Sequence, residues 1–457
     1  MLPLSLATEK TTAMDSRKIL AIILSILAIG IMIFSFSSDL ENTLNYGGID
    51  LRARVVGARL LAEGKDPYFF GWQEGMSEKL LDPRVKPGSV VSRVTMPPNV
   101  LTLHSISSAS PYFHQRIIWL LAQWASFLAI IALFLKQNKA LSKRCLIVFI
   151  GLCFLNSYFW RLHVERGQIY ILYVLLLSIA SYLFGAQYKK RKRLKGELFG
   201  GFILGFLVSL RPFAVLAMIP FTICRRWNVL VGSMFGAFFG LSIPLVLAKP
   251  SIWNSYFKAM GLLARYNDNH GDYSKIETFG NQNTIVYPNI IEGLQTLALV
   301  KDIPAINSSL SLVFEKINFA NRDLVLSAIL VFFIFFSSIF LIGRYKNKLS
   351  TQNLFLAGIL LCLTSEFFFS APRYSYNDVQ WILPILTIVT HAEVDEILVD
   401  RKIAILFLGL ILSMGFLDFI PKFLFFSLFA IAYYAISSTI SLFDRSLKFD
   451  AEMEAKI

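Results

Sequence analysis

Long apolar stretches recur along the chain and alternate with short polar segments. Most of them approach the roughly 20 residues that an α-helix needs to cross the hydrocarbon core of a bilayer. The apolar runs lie at residues 19–38, 114–135, 145–160, 169–187, 198–224, 229–247, 324–342, 353–369, 379–391, 403–419 and 423–442. The pattern predicts an all-α, multi-pass transmembrane protein with about 11 to 13 spans. We expect residues 1–457 to form a single integral membrane domain.

The first apolar run directly follows Arg17 and Lys18. It is longer than the apolar core of a signal peptide, and no small-residue cleavage site follows it. We therefore expect this run to be retained as the first membrane span.

The run at 198–224 contains Arg211-Pro212 near its centre. A cation in the middle of a membrane is costly unless it faces protein or water, and proline interrupts a helix. We expect a broken helix that enters the membrane as residues 198–209 and returns to the same side as residues 213–224. This path would bring Arg211 near one surface of the membrane. Because a guanidinium keeps its proton, an anion or a carboxylate must neutralise it there.

Basic residues cluster in alternate loops, which is typical of the cytoplasmic side of membrane proteins. The clusters lie within residues 10–18, 136–144, 189–195, 225–226, 344–348, 401–402 and 445–455. All of them fall on one side if the broken helix returns to its starting face. We therefore predict a cell-membrane protein with both termini in the cytoplasm. Its extracytoplasmic connections would be long at 39–113 and 248–322, and short at 161–168 and 370–378.

Composition and charge narrow the classes of function. The chain is 55% hydrophobic and 16% charged, whereas soluble domains carry about 25% charged residues, which argues against a soluble enzyme. Nearly half of the 44 basic residues fall on the predicted extracytoplasmic side. This runs against the usual bias, and an anionic partner on that side would account for it.

The sequence contains no motif for a soluble cofactor site. The four Cys and five His residues show no zinc-ligand spacing, and neither a Walker sequence nor a GxGxxG motif occurs. The basic run at 189–195 fits a topology signal that contacts anionic membrane lipids, and we expect no nucleic-acid partner. No cofactor is expected, although a divalent ion near Asp50 or Asp378 is an open alternative.

Asp50 opens a short, partly amphipathic helix in the first extracytoplasmic connection, just beyond the first span. Gly64 and Pro67 are helix stop signals, so we expect the helix to end before them and to lie at the membrane surface. One interpretation is that Asp50 caps this helix or pairs with Arg54 one turn on. The other is that Asp50 is a general base at the level of the lipid headgroups.

Residues 161–168 form a polar segment that we expect to be a short turn between two spans. Arg161 and Arg166 have the chemistry to hold a phosphate, and Gly167 allows the backbone to approach closely beside Gln168. A surface ion pair of Glu165 with either arginine is the alternative.

Two later clusters carry amides, charges and aromatic residues. Asn281 and Gln282 belong to one, and Arg373 and Asp378 belong to the other. Amide side chains suit sugar hydroxyls, whereas the neighbouring Tyr and Trp residues also fit an ordinary interfacial belt. We count these four residues as candidates for substrate binding, and Arg54, one turn beyond Asp50, as another.

Several of these motifs follow one another along the chain in the order that is found in one known protein family. They are Asp50, Gly64-x-x-Pro67-Tyr68, Pro97-Pro98, Gly167-Gln168, Arg211-Pro212, Asn281-Gln282 and the segment 372–378. In this respect the chain resembles glycosyltransferase family 87, which uses polyprenyl-phosphate sugars and belongs to the GT-C membrane superfamily. The best-known members of the family are α-mannosyltransferases.

The resemblance implies that Asp50 is the catalytic base. It also implies that Arg166 or Gln168, Arg211 and Asn281-Gln282 bind the phosphate and the sugar. The chain departs from the family at three motifs: it has Met96-Pro97-Pro98 for Tyr-Pro-Pro, Asn377-Asp378 for a pair of His residues, and Arg211 for Lys. These departures leave the donor sugar and the second polar group open.

The expected activity is transfer of a sugar, mannose by the resemblance, from a polyprenyl phosphate to a lipid-linked or surface glycan. Transfer would invert the anomeric centre and take place on the extracytoplasmic face. Two alternatives are a flippase or transporter of lipid-linked glycans and a polymerase or ligase of surface glycans. The hydropathy shows no internal repeat of the kind that transporters carry.

Overall fold

The structure is a computed structural model that describes residues 5–45, 48–70, 76–80, 83, 94–185, 190–268, 324–332, 334–335, 350–368 and 374–391. These residues are predominantly α-helical. The helices are α1 (Ser5–Asn45), α2 (Ile49–Ala62), α3 (Pro98–Ser105), α4 (Tyr112–Gln137), α5 (Leu141–Leu155), α6 (Tyr158–Arg166), α7 (Tyr170–Gly185), α8 (Lys190–Leu210), α9 (Ile219–Ile223), α10 (Trp227–Ser242), α11 (Ile252–Asp268), α12 (Thr351–Ser365) and α13 (Ile382–His391). Residues 324–332 are also helical. Short 3₁₀ helices lie at Glu78–Leu80, Pro212–Met218, Ile243–Val246, Glu366–Phe368 and Ser375–Trp381.

Two helical stretches in the described part of the chain are long and apolar enough to cross a membrane. They are α4 and the continuous stretch Trp227–Val246, and α5 with α6 would be a third if this pair, bent by 59°, is one span. Shorter apolar helices lie at Tyr170–Gly185, Pro212–Ile223 and Thr351–Leu363. The structure therefore supports a helical, membrane-associated protein. The larger number of spans stays a prediction, and the runs at 403–419 and 423–442 lie outside the described residues.

Helices α8 and α10 pack closely through glycines spaced four residues apart. A Cβ added at Gly201 or Gly205 would meet the backbone of α10, and one added at Gly232 or Gly236 would meet the backbone of α8. Small residues at this spacing let two helix backbones approach each other, which is the common way for helices to associate in lipid. The close pair fixes the end of α8, where Arg211 lies.

The predicted helix break at Arg211 is confirmed. Helix α8 ends at Leu210, Arg211 has extended backbone angles (φ −144°, ψ 92°), and Pro212 begins a 3₁₀ helix. The side chain of Asn99 holds the end of α8, since its Nδ2 donates to the carbonyl oxygen of Ser209 at 2.9 Å and to that of Gly240 at 3.3 Å. A buried amide from α3 therefore satisfies the Ser209 carbonyl that the break leaves open and also bonds to α10.

The prediction of a turn over 161–168 was wrong for most of that segment. Helix α5 ends at Leu155, and α6 begins at Tyr158 and includes the chain as far as Arg166. The hydroxyl of Ser157 caps α6 by accepting from the amide of Trp160 at 3.2 Å. Gly167 then ends α6 in the left-handed region (φ 70°), where glycine is favoured. The local cap at Ser157, rather than hydropathy, decides where the bend falls.

Candidate active site

The amino-terminal end of α2 lies against the carboxyl-terminal end of α6. Gly48 precedes α2 with φ 62°, and Gly167 follows α6 with φ 70°. A Cβ at Gly167 would come within 2.6 Å of the Cβ of Leu51, and a Cβ at Gly48 would lie 2.7 Å from the guanidinium of Arg116. Both glycines are needed for this close approach as well as for their backbone angles. The contact brings the first turn of α2 next to Arg166 and Gln168.

Asp50 lies in that first turn and contacts both neighbours. Its Oδ2 accepts a hydrogen bond from Nε2 of Gln168 at 2.7 Å and lies 3.8 Å from a guanidinium nitrogen of Arg166. The Asp50 side chain keeps 26% of its surface exposed, and that of Arg166 keeps 15%. Asp50 is therefore held in place but still reachable.

Neither structural alternative for Asp50 holds. The residue that precedes α2 is Gly48, so Asp50 belongs to the helix and is not its cap. The Arg54 side chain reaches a different partner, since it donates to the carbonyl oxygen of Gly167 at 2.8 Å and lies 3.9 Å from the ring centre of Trp119. Nine of the 14 residues of α2 are buried, so this helix packs into the protein, and its position at the membrane surface stays a prediction.

Two buried arginines hold the end of α6. Arg54 binds the carbonyl oxygen of Gly167, and Arg116 donates to the carbonyl oxygens of Val164, at 3.2 Å, and Glu165. The last carbonyls of a helix lack partners within the helix and carry partial negative charge, which cations stabilise. Arg54, a predicted substrate-binding residue, therefore positions the helix end in this structure. Arg116 was missed because it lies inside an apolar run.

The backbone of Gln168 is fixed from α4. Its carbonyl oxygen accepts hydrogen bonds from Nε2 of Gln123 at 2.8 Å and from the indole of Trp119 at 3.2 Å. Gln168 is only 2% exposed and Gln123 is fully buried. Because its backbone is held in this way, the Gln168 side chain is aimed at Asp50.

Burial raises the pKa of Asp50 above its ordinary value of 3.8. The positive charge of Arg166, that of Arg54 and the hydrogen bond from Gln168 oppose this effect, and burial prevails. A carboxylate whose pKa is raised toward neutrality accepts a proton more readily than an ordinary aspartate. The arrangement suits general-base chemistry.

A stack of tyrosines connects Asp50 with Arg211. The ring of Tyr376 stacks on that of Tyr170, with centres 5.9 Å apart and planes at 21°. Arg166 lies 6.0 Å from the centre of Tyr376, and Arg211 lies 4.7 Å from the centre of Tyr170. The carboxylate and the two arginines therefore belong to one cluster.

Arg211 is neutralised by a carboxylate, one of the two kinds of partner, anion or carboxylate, that we expected for it. Its guanidinium lies 2.7 Å from a carboxylate oxygen of Glu366 and donates to Oε1 of Gln380 at 2.5 Å. Glu366 was not among the predicted site residues, because it falls inside an apolar run. The Arg211 side chain keeps 21% of its surface exposed, so it is not fully enclosed by these partners.

A cavity opens beside Arg211 between α7, α8 and α12. Its volume is about 30 Å³, room for about two water molecules, and it is partly open to the outside. Its walls are mainly apolar, from residues such as Leu177, Leu207 and Ile359, and Arg211 and Gln380 supply polar groups. Its lining, mostly apolar with a few polar groups, has the chemistry of a small-molecule site, and its volume is smaller than such sites usually have.

The remaining predicted site residues lie away from Asp50 or outside the residues that the structure describes. Arg161 is near enough to Asp39 to stabilise its negative charge, whereas the cations that act on Asp50 are Arg166, Arg54 and Arg52. Asp378 is fully buried in the 3₁₀ helix Ser375–Trp381. Asn281, Gln282 and Arg373 lie outside the described residues. In the described part of the chain, no three His, Cys, Asp or Glu side chains form a group that would hold a metal ion.

The comparisons with known proteins give one match. The family model of glycosyltransferase family 87 matches residues 95–365, more than half of the chain. The match includes α6, Gln168 and Arg211; it begins after Asp50 and ends one residue before Glu366. No curated protein and no solved structure matches the chain.

Proposed function

The chain belongs to glycosyltransferase family 87, and from that premise we propose that it transfers a sugar from a polyprenyl-phosphate donor to a lipid-linked or surface glycan. The donor sugar is mannose in this proposal, following the family's best-known members. The observation that carries the proposal is the partly exposed Asp50, which is held by Gln168 at 2.7 Å beside the guanidinium of Arg166.

In the proposed reaction Asp50 takes the proton of an acceptor hydroxyl. The acceptor oxygen forms a bond to the anomeric carbon as the bond between that carbon and the phosphate oxygen breaks. Attack from the face opposite the phosphate inverts the anomeric centre, and the lipid phosphate leaves with the bonding electrons. The raised pKa of Asp50 supports its role, because a base works best when its pKa is near the working pH.

Arg166 and Arg211 are the proposed partners of the lipid phosphate. The phosphate gains negative charge as its bond to the sugar breaks, and fixed guanidinium groups stabilise that charge. The apolar lining of the cavity beside Arg211 matches the first isoprene units of the donor in chemistry, and the cavity would have to widen to hold them. Glu366 now neutralises Arg211, so the donor phosphate would have to share this guanidinium with it or displace it. No metal is needed in this scheme.

The proposed setting is the extracytoplasmic face of the cell membrane. Residues 1–457 would form one multi-pass domain with both termini in the cytoplasm. Residues 39–113, which carry Asp50, and residues 248–322 would then lie outside. The segregation of basic clusters into alternate predicted loops supports this orientation.

The experiment is to incubate the detergent-purified protein with a panel of labelled polyprenyl-phosphate sugars and candidate acceptors, and to measure product masses. A mass increase of one hexose, with release of polyprenyl phosphate, is expected for the mannose donor. Transfer of whole glycan chains would instead favour a polymerase or ligase. Absence of transfer from every lipid-phosphate donor, with protein that is folded by thermal melting, would contradict the proposal.

A further inference from the structure

Tyr374 is an exposed tyrosine that lies against Tyr376, one ring of the tyrosine stack beside Asp50. Its side chain is 36% exposed, whereas Tyr376 is 8% exposed. The two rings lie 5.5 Å apart at 30°, and Arg166 lies 6.0 Å from the centre of Tyr376. We call Tyr374 and Tyr376 together the tyrosine platform. It offers an open aromatic surface next to the one carboxylate that the proposed function uses as a base.

The chemistry of this surface suits a sugar. One face of a pyranose ring carries several C–H groups with a slight positive charge, and the face of an aromatic ring is negative. A sugar on such a ring still directs its hydroxyls outward, where Asp50 and Arg166 offer an acceptor and a donor of hydrogen bonds. Asp50 and Arg166 both act electrostatically on Tyr374, so the three groups are close together.

The position of the platform favours the acceptor sugar over the donor sugar. Arg211 and the apolar cavity lie on the side of Tyr170, where the donor lipid and its phosphate would bind. Tyr374 contacts the other ring of the stack, Tyr376. A base must lie within hydrogen-bond distance of the hydroxyl that it deprotonates, so the acceptor has to bind on the side of Asp50.

We propose that the tyrosine platform, with Tyr374 as its exposed ring, binds the sugar ring of the acceptor glycan and directs a hydroxyl toward Asp50. This inference rests on the proposed function. It adds a binding subsite and predicts that acceptors ending in a sugar ring are used far better than plain alcohols. Tyr376 supports the exposed ring from beneath and links it to Arg166.

The test uses the full-length protein in detergent, with polyprenyl-phosphate mannose as donor and octyl α-mannoside as acceptor. Tyr374→Ala should raise the acceptor KM roughly tenfold, because the loss of one aromatic stacking contact is of that order. Tyr374→Phe keeps the ring and should stay within about twofold of the wild type. The donor KM and the slow hydrolysis of donor by water should not change in either variant.

Tyr182→Ala is the matched control, because Tyr182 is in α7, twelve residues beyond Tyr170, or about 18 Å along the helix. It should leave the acceptor KM unchanged. If Tyr374→Ala does not fold by thermal melting, Tyr374→Leu replaces it, since leucine keeps apolar bulk without an aromatic face. An unchanged acceptor KM in the folded variant, or a rise in the donor KM alone, would overturn the inference.

A binding measurement separates the two proposals. Saturation-transfer NMR with octyl α-mannoside needs no turnover, so it reports on the platform even if no donor is used. Wild-type binding that Tyr374→Ala weakens supports the platform, whether or not sugar transfer is found. Equal binding by wild type and Tyr374→Ala would refute the platform and leave the glycosyltransferase proposal intact.

Discussion

The carboxylate of Asp50 accepts a hydrogen bond of 2.7 Å from the side chain of Gln168, a residue 118 positions further along the chain. Gln168 is in turn fixed by α4, because Gln123 and Trp119 both donate to its backbone carbonyl. Three parts of the chain therefore set the direction of one carboxylate. A group held in this way loses little freedom when a substrate binds, which is the usual requirement for an efficient base.

Gln168→Leu should lower kcat by about tenfold and change the donor KM much less, because it removes the hydrogen bond that orients Asp50. The measurement is steady-state kinetics with the donor that the panel identifies. Gln137→Leu is a suitable control, because the Gln137 amide donates back to its own helix, to the carbonyl oxygen of Leu133. Full activity in Gln168→Leu would mean that the contact does not position the base.

The value of kcat/KM should fall as the pH is lowered, and the pKa of this fall should be that of Asp50. The base must be ionised to accept a proton, and burial raises the pKa of Asp50 above 3.8. Arg166 opposes that effect with its positive charge, so Arg166→Gln should raise the pKa further and move the acid limb of kcat/KM to higher pH, by about one unit. The pH profiles of wild type and variant are each scaled to their own maximum. The shift in pKa is then seen separately from any loss of activity through weaker phosphate binding. A limb that stays in place or moves to lower pH would contradict the assignment.

The pairing of Arg211 with Glu366 allows its structural and functional roles to be separated. Arg211→Gln should lower the melting temperature, because it leaves the Glu366 carboxylate without its 2.7 Å partner. Adding Glu366→Gln should recover most of that loss. The donor KM should stay at least roughly tenfold higher in both variants, because neither retains the cation for the phosphate. If the double variant recovers the donor KM as well, Arg211 is purely structural.

Gly205 should tolerate no side chain. A Cβ there would meet the backbone of Ser233 on α10, so Gly205→Ala should force α8 and α10 apart and cost about 1–3 kcal/mol. Gly261, in α11, has open space around its Cβ position. Gly261→Ala should therefore be neutral or slightly stabilising, since alanine favours helix. Thermal melting in detergent compares the two, and equal melting temperatures would count against the close packing of α8 and α10.

The features that the sequence predicted well depend on local chemistry. Arg211-Pro212 indicated a helix break for two local reasons. Proline interrupts a helix where it occurs, and a cation in the middle of a span is unfavourable. Gly64 likewise predicted the end of α2, which finishes at Ala62. The bend after Leu155 was missed even though Ser157 is an ordinary capping residue, because the apolar run continues through it.

The partners of the charged residues were not predictable in the same way. Asp50 pairs with Arg166, 116 positions away, and Arg211 pairs with Glu366, 155 positions away. A single sequence carries no record of which distant residues meet. The cation one helical turn along the sequence was therefore offered as a partner of Asp50, and Arg54 in fact binds the end of α6.

Sugar transfer by Asp50→Asn tests whether Asp50 is the general base. Asparagine keeps an oxygen for Gln168, and it removes a charge whose burial is unfavourable, since the pKa of Asp50 in the fold lies above its ordinary value. Near neutral pH the variant should therefore melt no lower than the wild type. Asp66→Asn, which keeps an acceptor for the amide of Tyr68, is the matched control. Asp50→Asn should lose activity by a factor of about 10² to 10⁴ with an unchanged donor KM, while Asp66→Asn stays active. Turnover by Asp50→Asn at the rate of the wild type would contradict this role for Asp50.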